Sequence, residues 1–73
     1  MVANGLYRHF KGGMYEVIGV ARHSEDNMEA MVVYRPIDTN DLWVRPISMW
    51  NEIVSRNGFK HKRFTKVEGE LIE

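Results

Sequence analysis

Rings and cations fall together repeatedly in this chain. Tyr7-Arg8-His9-Phe10-Lys11 opens it, Tyr34-Arg35 and Trp43-Val44-Arg45 occupy its middle, and Phe59-Lys60-His61-Lys62-Arg63-Phe64 comes near its end. A half-buried strand that shows rings and cations on its exposed side is a binding surface for anions and flat groups. Side chains alternate along a strand, so Tyr7 and His9 share one face, as do Trp43 and Arg45. If barrel curvature brings these faces to one rim, then Tyr7, His9, Tyr34, Trp43 and Arg45 frame an aromatic groove with an anion contact. The ligand expected there is a peptide, its carboxylate terminus, or a nucleotide. The opposing reading places the rings in the core and pairs Arg45 with an acid such as Glu16 or Asp41.

A second constellation is the basic strand 59–66. Lys60, Lys62, Arg63 and Phe64 have the residue types that track phosphates and stack on bases, which gives a nucleic-acid accessory module as the alternative function. The same lysines also suit an edge strand that must resist edge-to-edge pairing. The chain carries 10 basic and 10 acidic residues for a formal net charge of +0, whereas a non-specific nucleic-acid binder is usually basic overall. The charge is uneven, however, with cations gathered at Arg56, Lys60, Lys62, Arg63 and Lys66.

Other chemistries find less support. His9, His23 and His61 lack the close spacing of a zinc site, and there are no cysteines, so no metal site and no cofactor is assigned. His23-Ser24-Glu25 has the letters of a nucleophilic triad, yet consecutive residues of a turn point in different directions. A small enzyme using His9 or His23 with Glu25 is the third reading, and no catalytic residue is assigned. The short segment is read as an ordinary turn capped by Ser24. Lys11-Gly12-Gly13 offers backbone donors and a cation, but a P-loop needs a longer glycine-rich loop that leads into a helix.

These residues must be positioned by short strands, because turn signals recur at short intervals. Gly5 to Phe10 reads as a first strand, and Lys11-Gly12-Gly13 as its hairpin turn. Met14 to His23 follows, with Tyr15, Val17, Gly19 and Ala21 on one face and Met14, Ile18 and Val20 on the other. Gly19 marks a bend or bulge. After the polar loop 24–27, Glu29 to Arg35 is a third strand ended by Pro36, and Leu42 to Arg45 a fourth stopped by Pro46. Ser48 to Glu52 reads as one helical turn with Ser48 as its N-cap. Ile53-Val54 and Phe59 to Val67 flank Arg56-Asn57-Gly58, a hairpin signal.

The expected fold is all-β: one domain over 1–73, a small Src-homology-3-like barrel of five or six short strands with one helical turn near 48–52. The ordered core is expected over 5–67, with a frayed tail at 68–73. No apolar run has the length of a membrane helix, and the N-terminus lacks a signal-peptide pattern, so the expected location is the cytoplasm, with no membrane partner.

The ordered series Gly5-x-Tyr7-Arg8-His9-Phe10-Lys11-Gly12, Tyr15-x-Val17, Ala21-Arg22-His23-Ser24-Glu25, Val32-Val33-Tyr34, Trp43-Val44-Arg45-Pro46 and Met49 resembles a small bacterial family known only as a numbered domain of unknown function. The resemblance runs from residue 5 to residue 64. It implies a compact Src-homology-3-like β-barrel and no established activity. The chain departs from that pattern in the loop Pro36 to Asp41, which lacks a Leu-Tyr-Gly type sequence. Trp50 also stands where a phenylalanine is usual.

Overall fold

The computed structural model describes residues 2–25 and 28–67. Met1, Asp26, Asn27 and residues 68–73, where a frayed tail is expected, lie outside them. The elements in chain order are β1 (Gly5–His9), β2 (Met14–Arg22), β3 (Ala30–Pro36), β4 (Trp43–Pro46), α1 (Ile47–Trp50), β5 (Ile53–Arg56), β6 (Phe59–Lys62) and β7 (Phe64–Lys66). The described residues are therefore mostly β, with seven strands in two antiparallel sheets. The larger sheet has the order β4-β3-β2-β1-β7, and β5 pairs with β6. No helix among the described residues is long and apolar enough to cross a membrane.

Both expected hairpin turns form. Gly12 has φ 107°, and His9 closes the turn, its N–H donating to the Gly13 carbonyl at 2.8 Å. Asn57 and Gly58 have φ of 53° and 80°, the paired left-handed conformation of a two-residue hairpin loop.

Gly19 does sit at a bulge, and the bulge reverses the expected faces. Val17 pairs with Tyr34 and Gly19 pairs with Val33, so Ile18 is the extra residue. One inserted residue moves everything after it to the opposite face. Val20 therefore lies opposite buried Val32, on the same side as Tyr15 and Val17, while Gly19 and Ala21 turn away.

Most strand ends shift by one residue, with Pro36 and Pro46 closing β3 and β4 from inside, and two larger departures concern the helical turn and the last strand. The helical turn begins at Ile47 with Pro46 at its N-cap and no side-chain cap, so Ser48 does not cap it. Proline's fixed φ suits a helix entrance, and Pro46 has φ −54°. The strand expected over 59–67 breaks at Arg63 into β6 and β7. There the chain leaves the hairpin sheet, and Arg63 is held by its own N–H to the Glu52 carbonyl at 2.9 Å and by its carbonyl to the Phe10 N–H at 3.0 Å.

The sheet is strongly curled. Flat, its outer strands β4 and β7 would stand about 19 Å apart, four steps of about 4.8 Å. Instead the Arg45 guanidinium of β4 lies 5.8 Å from the Phe64 ring of β7. The concave face holds the core: Val2, Tyr7, Val17, Val32, Tyr34, Trp50 and Phe64 are buried. Trp50, delivered by α1, stacks on Phe64 at 3.7 Å with the planes 3° apart, and meets Tyr34 and Tyr7 edge-on at 4.9 and 5.3 Å. Each such pair adds about 0.5–1.5 kcal/mol beyond the area it buries, a large share of the stability of so short a chain.

Candidate anion-binding site

Cross-strand register places all five expected groove residues on the concave face. Tyr7 lies opposite Tyr15, Trp43 opposite Tyr34, Arg45 opposite Val32, and His9 opposite Phe64. That face is mostly covered. Tyr7 is 7% exposed, with its hydroxyl donating to the Ala3 carbonyl at 2.7 Å, and Tyr34 is 2% exposed. These two rings build the core and do not rim a groove, because Trp50 and Phe64 close over them. Trp43 stays half exposed, its edge contact being with Tyr34 at 6.1 Å.

Arg45 and His9 occupy the seam where the outer strands approach. Arg45 Nε donates a long hydrogen bond to the Tyr34 hydroxyl at 3.4 Å, and among the described residues it pairs with neither Glu16 nor Asp41. Glu16 instead binds Arg35 at 2.8 Å, and Arg35 also donates to the Thr39 carbonyl, which ties down the loop after β3. The His9 ring packs edge-on against Phe64 at 5.0 Å and lies over Phe10 at 4.6 Å. Its Nδ1 accepts the Lys11 N–H at 3.1 Å, so the neutral ring carries its proton on Nε2. Burial first, and then the positive charges of Arg63, Arg45 and Lys11, hold its pKa below the usual 6.5.

The β5–β6 hairpin flanks this seam. Its base is clamped by Arg63, whose Nη2 binds the Glu52 carboxylate at 2.8 Å. Arg63 Nε is buried without a hydrogen-bond partner among the described residues. Arg56 reaches from the hairpin to the Phe10 ring, 5.9 Å away. Between hairpin and sheet lies a cleft of about 270 Å³, lined by Arg8, His9, Phe10, Gly12, His61, Lys62 and Thr65. Its lining contains two cations, two imidazoles and a hydroxyl, with no carboxylate.

The basic-strand reading is divided by this geometry. Lys60 and Lys62 are exposed, as expected of a contact surface. Phe64 is 3% exposed and stacked on Trp50, so it offers no face to a base, and Arg63 is engaged by Glu52. Phe59, 69% exposed, is the ring that the hairpin presents. Arg8 belongs to the opening series of rings and cations and Thr65 to the basic strand 59–66, but neither is among the five expected groove residues. They face each other across β1 and β7, on the convex side, and only the pairing of distant strands brings them to His61 and Lys62.

His23, Ser24 and Glu25 form a surface turn. The Glu25 N–H donates to His23 Nδ1 at 3.2 Å, so the histidine, in place of Ser24, closes it. Among the described residues no group of three histidines, aspartates or glutamates is placed to hold a metal ion.

Such a curled antiparallel sheet, carrying a one-turn helix and a separate hairpin, defines a small β domain with a basic cleft. The chain belongs to the family described as protein of unknown function (DUF1653), which it matches over residues 5–66. A crystal structure of a DUF1653 protein from Bordetella bronchiseptica is similar to it at 32% identity and a TM-score of 0.83, covering 99% of this chain and 95% of that one. A search of the curated proteins found no match.

Proposed function

We propose that this domain is a non-enzymatic binding module whose cleft between the 9–13 turn and the β5–β6 hairpin takes an anionic group, a phosphate or a carboxylate. The observation that carries this reading is the cleft's lining: Arg8, Lys62, His9 and His61 converge there with no carboxylate among them. Cations gathered in a concave site attract an anion more strongly than cations spread over an open surface. Neutral His9 can donate from Nε2, and the Thr65 hydroxyl adds a further donor. Arg45 supports the cleft from the side, through its field on His9. The curled sheet, with its outer strands meeting across Arg45 and Phe64, supports reading the fold as Src-homology-3-like.

The test is calorimetric titration of the protein with inorganic phosphate and pyrophosphate. Saturable binding is expected, with pyrophosphate tighter. Arg8→Glu and Lys62→Glu, both at exposed positions, should each abolish it while leaving the melting temperature within a few degrees. Binding that survives both reversals would place the anion elsewhere and defeat the reading.

A further inference from the structure

We infer that the anion belongs to a single-stranded nucleic acid laid along β6, with the cleft holding one of its phosphates; this rests on the anion-binding reading above. Three observations carry it. The cations continue beyond the cleft. Lys62 lines it, and Lys60 lies two residues along the same face of β6, about 6.7 Å further on by the rise of a strand. A lone carboxylate or phosphate uses one end of such a row, whereas a chain of phosphates uses both. The opposite face of β6 carries Phe59 and His61, and among the described residues β6 pairs only with β5, so a strand laid along its other edge meets cations on one side and rings on the other. Phe59 is 69% exposed, a large ring that no other part of the described domain covers.

A flat, uncovered ring beside a basic track is how proteins hold unpaired bases, since every base has a face to stack. A duplex hides those faces. Reading its major groove calls for a helix or ribbon with base-reading side chains, and the four-residue α1 spends its tryptophan on the core. An acidic peptide would satisfy the lysines and leave Phe59 unused.

Fluorescence anisotropy with a labelled oligothymidylate of about a dozen nucleotides tests this. Contacts from Arg8, Lys60 and Lys62 to about three phosphates predict a slope of log K against log salt near −2. Lys60→Glu/Lys62→Glu should abolish binding, and Phe59→Ala should weaken it about tenfold without altering the salt slope. Both variants change exposed side chains, and their melting curves verify that they fold. If phosphate or a poly-glutamate peptide saturates the cleft while the oligonucleotide does not bind, the nucleic-acid inference falls and the anion site stands. Tighter binding of duplex, or an unaffected Phe59→Ala variant, also overturns it. If neither phosphate nor oligonucleotide binds, both readings fall together.

Discussion

The Arg45 guanidinium lies 5.8 Å from the centre of the Phe64 ring, joining the two outer strands of one sheet. The contact makes Arg45 a seam residue: its charge rests on a buried ring on one side and acts on His9 on the other. A cation over an aromatic face contributes about 0.5–1 kcal/mol at an accessible site, more where water is excluded.

Arg45→Ala should therefore lower stability by about 1 kcal/mol, and Arg45→Lys by less, measured by urea unfolding. Loss of folding in Arg45→Ala would mean that the seam is structural to a degree that this contact does not explain. No loss at all would show that the sheet stays curled without it.

Two glycines should respond oppositely to alanine. Gly12 has φ 107°, a conformation that side chains avoid, and a Cβ there meets nothing within 4 Å, so any cost is backbone strain alone. Gly12→Ala should cost about 1 kcal/mol or more. Gly19 also has open space around it but no positive φ, so Gly19→Ala should be neutral or stabilising by about 0.4–1 kcal/mol through the unfolded chain. Thermal melts decide both. Equal effects at the two positions would contradict the assigned turn.

The depressed pKa of His9 sets a sign for pH dependence. Well above its ordinary pKa of 6.5 the ring is neutral in folded and unfolded chains alike. As pH falls below that value, the unfolded chain takes up a proton that the folded chain resists, and stability declines. The melting temperature should drop between about pH 7 and about pH 5.5, and less steeply in His9→Gln. Phosphate in the cleft opposes the charges of Arg63, Arg45 and Lys11, so it should raise the titration midpoint of the ring. An unchanged slope in His9→Gln would remove His9 from this account.

The legible parts of the fold were those carried by local chemistry. Gly12 and the Asn57-Gly58 pair fixed two hairpins, because few other residues accept a positive φ. Gly19 pointed to the bulge, but a glycine does not say which neighbour is extra, so the destination of Val20 was misread. The break at Arg63 has no glycine or proline to announce it and depends on Glu52 and Phe10, both remote in sequence. Val2 lies outside any alternating pattern and yet is buried.

For the site, period two correctly grouped Tyr7 with His9 and Trp43 with Arg45. Alternation cannot say which face of a strand the rest of the chain will cover, and here Trp50 and Phe64 cover Tyr7 and Tyr34. The cleft draws on β1, the first turn, β6 and β7, a combination that only the strand pairing produces.

The most direct measurement is a two-dimensional amide NMR titration of the full chain with inorganic phosphate. The largest saturable shifts should fall on Arg8, His9, Gly12, His61, Lys62 and Thr65, with the Trp43–Pro46 strand changing little. Shifts that do not saturate, or that centre on Trp43 and Val44 instead, would contradict an anion site between the 9–13 turn and the hairpin.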